Sequence, residues 1–150
     1  MSEIRTALIS DIEAIESLYL HLNPDRPSLD PKRATEILSQ IVNADEFQLF
    51  VCLENNQMIA SCMLAFVPNL MRGGRPHAFL ENVVTHKDHR RKGYGRAIVN
   101  TALEIAWKRN AHQVLLFSAR PDPNVHIFYE SCGFKNGRKA GYVILHPPND

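Results

Sequence analysis

Residues 81–96 read Glu81-Asn82-Val83-Val84-Thr85-His86-Lys87-Asp88-His89-Arg90-Arg91-Lys92-Gly93-Tyr94-Gly95-Arg96. The apolar run Ala78–Thr85 predicts a strand, His86–Gly95 a basic loop, and Arg96–Arg109 a helix with Ile98, Ala102, Ile105 and Ala106 along one stripe. A strand that turns into a helix through such a loop presents backbone N–H groups and a positive helix end to one spot, where a phosphate is well placed. Gly93 and Gly95 allow close approach of the backbone, and Arg90, Arg91, Lys92 and Arg96 add charge. Two familiar phosphate loops are excluded. A Walker A loop needs a second glycine followed by Lys and Ser or Thr, but Ile98 stands in that glycine's place. A dinucleotide fingerprint needs a third small residue at the same place and an acidic residue after the next strand, which instead runs Phe117-Ser118-Ala119-Arg120. A solvated basic turn is the competing reading.

Outward from this segment the pattern predicts one mixed domain over residues 1–150. Ile4–Ile9 is a strand, and Ile12–Leu22 and Pro31–Val42 are helices separated by the turn-rich Asn23–Ser28. Phe47–Leu53 and Met58–Val67 are strands joined through Glu54-Asn55-Asn56-Gln57, a hairpin by its turn chemistry. After the 96–109 helix, with Asn110 as its stop, come a strand at Val114–Phe117, a short helix at Asn124–Cys132 closed by Gly133, and a final hairpin between Phe134–Asn136 and Gly141–Leu145. The fold class is therefore α/β (α+β), with a central mixed, mostly antiparallel sheet flanked by helices.

Composition removes several classes of function. Lys plus Arg number 17 against 16 Asp plus Glu, so any electrostatic partner is served by a local cluster and a general nucleic-acid binder is disfavoured. The Arg90–Arg96 cluster is compact and interleaved with a single aromatic, Tyr94, which also argues against a nucleic-acid surface. No apolar run approaches the length of a membrane span, and Met-Ser-Glu-Ile-Arg lacks the order of a signal peptide. Cys52, Cys62 and Cys132 are odd in number with no C-x-x-C spacing, so buried free thiols in a reducing cytoplasm are expected. His86, His89, His112 and His126 show no metal-ligand spacing, and no metal is expected.

The run Arg90-Arg91-Lys92-Gly93-Tyr94-Gly95 resembles the pyrophosphate loop [RQ]-x-x-G-x-[GA] of the GNAT superfamily of acetyl-coenzyme A-dependent N-acetyltransferases. Tyr129-Glu130-Ser131-Cys132-Gly133-Phe134 resembles a second signature of that family, Tyr-x-x-x-Gly-Phe. The resemblance implies acetyl-coenzyme A as acetyl donor and a primary amine as acceptor, whether a small molecule, an amino sugar or a peptide. It implies that Val83, Val84 and Thr85 hold the pantetheine arm and the acetyl carbonyl, and that successive amides from Arg91 to Arg96 hold the pyrophosphate. The family's asparagine seven residues before the tyrosine is Asp122 here, with Asn124 nearby assigned as a cofactor contact, and Lys87 replaces a customary proline. Tyr129 takes the place of the tyrosine near the thioester sulfur.

Attack on a thioester needs a neutral amine. With an amine pKa near 10.4, deprotonation at neutral pH costs roughly 4 kcal/mol, so a carboxylate base is expected. Glu81, on the strand that receives the thioester, is that candidate, against an edge carboxylate paired with Arg75, Arg72 or Lys87. Tyr129 is the candidate donor to the departing sulfur, against a packing role beside Phe128 and Phe134. The acceptor pocket falls on 23–28 and 68–77, where Asp25, Arg26, Arg72 and Arg75 form no readable pattern. A coenzyme A-binding sensor or partner subunit without turnover is the alternative function, and a homodimer stays open.

Overall fold

The computed structural model describes residues 1–147. They form two compact units, the first running Met1–Leu116 and the second beginning at Phe117. The first holds a five-stranded sheet in the order β1-β2-β3-β4-β5, with β1 at Ser2–Thr6, β2 at Phe47–Glu54, β3 at Gln57–Val67, β4 at His77–Thr85 and β5 at Gln113–Leu115. The first three pairings are antiparallel, and β4 with β5 is parallel. Parallel pairing needs a long crossover, and helix α3 (Tyr94–Lys108) supplies it.

Local chemistry explains these boundaries. Asn55 and Asn56, with φ of 51° and 63°, make the two-residue turn between β2 and β3. That left-handed pair matches the twist of the strands it joins. Helix α1 (Ile12–Tyr19) ends three residues before the expected Leu22, where the chain tightens into turns such as Leu22 N–H to the Tyr19 carbonyl at 3.0 Å. Helix α2 (Pro31–Asn43) starts with Asp30 accepting from the Arg33 amide at 3.0 Å and with Pro31 in its first turn. Helix α3 stops where expected, with Asn110 left-handed at φ 60°.

The sheet is covered on both faces. Ile15 and Leu18 of α1 and Leu38 of α2 cluster with Leu49, Val51 and Val84 on one side. On the other, α3 buries Ile98, Val99, Ala102 and Ala106, and the Cys62 thiol points at the Ile98 carbonyl, 3.7 Å away. Burial pushes that thiol up to about 12, so Cys62 is a packed core residue and not a nucleophile.

The second unit contains α4 (Pro123–Ser131). The final hairpin expected at Phe134–Asn136 and Gly141–Leu145 is not formed: Asn136-Gly137 makes a turn, but residues 134–147 contain no strand. Tyr142, Val143, Ile144 and Leu145 are apolar at both parities and all more than four-fifths exposed. Without the in–out alternation that fixes a strand on one face, propensity alone did not select a partner.

One ion pair fixes the start of the chain. Arg5 donates to both oxygens of Asp11, at 2.7 and 3.0 Å, and the Leu8 amide donates to the same carboxylate at 2.7 Å. The Arg5 hydrogen bonds, opposed by burial and aided by the Leu8 amide, hold Asp11 below the usual carboxylate range. A depressed carboxyl stabilises the fold above its unfolded pKa and loses that contribution as pH falls through its folded value. Asp11→Ala should cost about 1.5–3 kcal/mol at neutral pH. The gap between mutant and wild-type melting curves should close on acidification below pH ~4. Thermal melts across that range check both statements.

Candidate active site

Strand β4 is irregular where it matters. Thr85 pairs with Ala60 and Val84 with Ser61, but Glu81 pairs with Met63, so Asn82 and Val83 together oppose the single residue Cys62. That is a β-bulge, and Asn82 at φ 50° carries it in the left-handed region. Beyond the bulge β4 is paired on one edge only. The parallel pairing to β5 covers His77, Ala78 and Phe79, and among the described residues no pairing to β5 extends past them. The splayed edge of residues 80–85 can therefore accept an extended chain that carries amides of its own, as a sheet edge accepts a strand.

The loop after β4 is fastened from several directions. The His86 amide donates to the Ile59 carbonyl at 2.8 Å, and His86 Nδ1 accepts from the Asp88 amide at 3.2 Å. Arg90 Nε donates to the Thr85 carbonyl at 3.2 Å and its Nη2 to the His21 carbonyl at 3.0 Å. Arg90 thus ties the loop to the residues following α1. The His21 and His86 rings lie 4.1 Å apart, and burial followed by the charges of His86, Lys87 and Arg90 pushes His21 below its usual pKa. At the far end the Glu54 carboxylate raises the pKa of the Tyr94 phenol.

Arg91 at φ 61° and Gly93 at φ 92° turn the chain into α3, whose first backbone bond runs from the Ala97 amide to the Gly93 carbonyl at 3.0 Å. By helix geometry the amides of the first turn, Tyr94 to Arg96, point out of that end toward the loop. The structure thus brings Arg91, Lys92, Gly93, Tyr94, Gly95 and Arg96 to one helix start, with Val83, Val84 and Thr85 on the strand leading to it. Glu81 is exposed and, among the described residues, in no ion pair. Arg75 is engaged instead by the Asn110 and Ala111 carbonyls at 3.3 and 3.1 Å. The edge-pair reading of Glu81 therefore has no support.

The second unit explains its own signature. Asp122 caps α4 by accepting from the Asn124 amide at 2.9 Å, so Asn124 lies in the first turn. At the other end the Phe134 amide donates to the Tyr129 carbonyl at 3.1 Å and the Gly133 amide to the Glu130 carbonyl at 3.0 Å. With Gly133 at φ 97° this is a Schellman stop. The Tyr129 and Phe134 rings meet edge-on at 6.0 Å, the hydrophobic contact that accompanies such a stop. Helix termination accounts for the tyrosine ring, the glycine and the phenylalanine. The stop itself does not depend on the hydroxyl.

Sequence reasoning missed Asn82, which carries the β4 bulge in the left-handed region. A signal existed. Two polar residues, Glu81 and Asn82, followed by two apolar ones, Val83 and Val84, break the alternation of a regular strand.

A sheet whose β4 runs on past its short β5 partner, beside a basic loop and a helix start, suits a long, phosphate-bearing ligand. The chain belongs to the acetyltransferase (GNAT) family, whose model matches residues 15–134. It is an N-acetyltransferase, moving an acetyl group from acetyl-coenzyme A to an amine. It is similar to glucosamine 6-phosphate N-acetyltransferase of Schizosaccharomyces pombe, 35% identical over 81 residues that cover 54% of this chain and 70% of that one. The Trypanosoma brucei brucei protein of the same name is 27% identical over 134 residues, 89% of this chain and 88% of that one. A putative acetyltransferase from Agrobacterium tumefaciens superposes with a TM-score of 0.91 at 40% identity, over 96% of this chain and 99% of that one.

The turn into α3 gives a prediction independent of ligand. A Cβ on Gly93 would meet nothing within 4 Å, so any penalty there arises from its φ of 92° and not from a clash. Gly93→Val should destabilise the protein by about 1–3 kcal/mol, and Gly93→Asn, a residue tolerant of the left-handed region, by less. Equal losses in urea unfolding would refute the conformational explanation.

Proposed function

We propose that acetyl-coenzyme A lies along the splayed edge of β4 with its pyrophosphate at the start of α3, and that Glu81 and Tyr129 assist the transfer. The observation that carries this reading is the short β4–β5 pairing, which ends at Phe79 and Leu115 while β4 runs on to Thr85. Backbone groups of Val83, Val84 and Thr85 then take the pantetheine amides and polarise the acetyl carbonyl. Amides from Arg91 to Arg96 take the pyrophosphate, with Lys92 and the Arg91 and Arg96 side chains adding charge. Arg90 contributes by holding the loop, and Asn124 is carried as a cofactor contact from the family resemblance. Buried Cys52 and Cys62 suit a reducing cytoplasm.

The transfer balances simply. Glu81, directly or through water, takes the proton of the acceptor ammonium. The freed amine attacks the thioester carbon, the C–S bond breaks, the nitrogen gives up its extra proton to the departing sulfur or to solvent, and the sulfur leaves with a hydrogen bond from the Tyr129 hydroxyl. Full proton transfer from a tyrosine near pKa 10 to a thiolate whose acid is near 8.5 is uphill by roughly 2 kcal/mol. Partial donation in the transition state is the contribution assigned to Tyr129.

The decisive experiment is turnover of acetyl-coenzyme A, read as released thiol, across primary amines headed by glucosamine 6-phosphate, the acceptor named for two relatives. Saturable binding of acetyl-coenzyme A with no turnover across the panel would favour the sensor reading. At 100 times its Kd the cofactor should add about 2.7 kcal/mol of apparent stability. Glu81→Gln should lower kcat most near neutral pH and least at high pH, where the amine is already neutral, and an unchanged pH–rate profile would remove Glu81 as base. Tyr129→Phe keeps the ring contact with Phe134 and deletes only the hydroxyl. It should lower kcat by up to about 100-fold with Tm and acetyl-coenzyme A affinity nearly intact. An early melt would assign Tyr129 to packing alone.

A further inference from the structure

The loop that follows β4 carries cations throughout, in Lys87, Arg90, Arg91 and Lys92, yet a carboxylate stands beside it. Glu54 ends β2, opposite Gln57 across the Asn55-Asn56 turn, and its Oε2 lies 3.9 Å from Nδ1 of His89. An acid next to an anion-binding loop weakens the attraction for phosphate unless its charge is answered locally. His89 is the group placed to answer it. Its Nδ1 is, among the described residues, the one buried side-chain nitrogen or oxygen with no hydrogen-bond partner. A buried nitrogen in that state is costly. Carrying a lone pair, it faces a carboxylate oxygen of like polarity; carrying a proton, it faces an acceptor.

The neighbouring histidines are committed differently. His86 Nδ1 accepts from the Asp88 amide at 3.2 Å, so it holds a lone pair and offers no donor to the exposed Asp88 carboxylate 3.9 Å away. His21, whose ring lies 4.1 Å from that of His86, is pushed below its usual pKa by burial and then by the charges around it, and is neutral at neutral pH. The titratable groups that face His89 are Glu54 from β2, Tyr94 from α3 with its ring 6.0 Å away, and His86 from its own loop with its ring at 5.5 Å. Cys52, earlier on β2, has its thiol raised by burial and by Glu54, and stays uncharged. Glu54 therefore favours an imidazolium at His89, the solvent-exposed Asp88 adds little, and the loop's own cations oppose it. A pyrophosphate bound to the same loop brings negative charge and tips that balance toward the protonated form.

We infer that Glu54 and His89 are positioning residues of the cofactor loop: the carboxylate at the end of β2 holds His89 as an imidazolium when the pyrophosphate is bound, and a proton is taken up with the cofactor. The inference rests on the pyrophosphate lying at the start of α3. A charged Nδ1–H draws Glu54 in from 3.9 Å and ties the loop to the end of β2, as Arg90 ties it to the residues following α1. Because the loaded state holds more protons than the free one, affinity rises as pH falls through the histidine range and is lost as pH rises.

The test is calorimetric titration in buffers of different ionisation enthalpy, with dephospho-coenzyme A as the first probe. That molecule keeps the pyrophosphate and lacks the 3′-phosphate of coenzyme A, which titrates in the same range and pulls affinity the opposite way. The wild-type protein should take up a proton on binding it, and the Kd should fall about three- to tenfold from pH ~8 to ~6. His89→Gln should take up none and bind with a flat profile, Glu54→Gln should show the fall only at lower pH, and His21→Gln should match wild type. With coenzyme A itself, the wild-type and His89→Gln profiles should diverge by the same factor. In turnover, His89→Gln should raise the KM for acetyl-coenzyme A at pH ~6 while kcat stays within about twofold. Should a variant fail to fold, NMR titration of the His89 ring in the wild-type protein, with and without the probe, reads the rise in its pKa directly. Binding without proton uptake, or with uptake undiminished in His89→Gln, overturns the inference and leaves the cofactor site standing. If neither probe binds at any pH, the cofactor site falls, and this inference with it.

Discussion

Strand β4 is bound on two edges to different extents, and the proposed cofactor site depends on that inequality. Its antiparallel contact with β3 reaches from His77 to Thr85, interrupted by one bulge, whereas its parallel contact with β5 covers three residues. A strand buried between two full neighbours would have every amide and carbonyl satisfied and nothing to offer a ligand. A strand with one free edge throughout would be an aggregation hazard. Pairing the first third and releasing the rest leaves a short, bounded row of backbone groups beside the basic loop.

That release requires the loop to be held by something other than the sheet. Thr85 is the last paired residue, yet the chain must turn within a few residues and enter α3 with its first amides aimed at one place. The fastening comes from backbone acceptors: Arg90 bridges the Thr85 and His21 carbonyls, and His86 both continues the ladder to Ile59 and receives the Asp88 amide. A positive side chain used in this way still contributes field to the site, but its geometry is fixed before any phosphate arrives. Preorganisation of that kind reduces the ordering that binding must bring about.

The elements of the first unit were legible in the sequence because each is set by local chemistry. Asp30 and Pro31 start α2, Asn110 ends α3, and Asn55-Asn56 can only be a tight turn between two apolar runs. The basic loop was legible too, since charge and glycine spacing survive without knowledge of neighbours. What was not legible depends on pairing. The splay of β4 from β5 is a statement about where a partner ends, and the bulge at Asn82 is visible only once Cys62 is seen to face two residues. The absent final hairpin has the same origin: Tyr142 to Leu145 have strand-forming side chains, but no alternation to choose a face.

The signature Tyr129 to Phe134 shows how a motif mixes two kinds of constraint. Four of its features follow from ending a helix: Gly133 left-handed, the crossed amide bonds from Gly133 and Phe134, the spacing back to Tyr129, and the ring contact across that span. Phenylalanine at 129 would satisfy all four equally well. The hydroxyl is the one atom the stop does not need. The same subtraction applies to Glu81. Strand packing asks nothing of an exposed position beside a bulge, no ion pair among the described residues uses its charge, and the bulge determines which face it occupies. A residue type that structure leaves undetermined, on a backbone that structure has gone to some trouble to aim, is where function is to be sought.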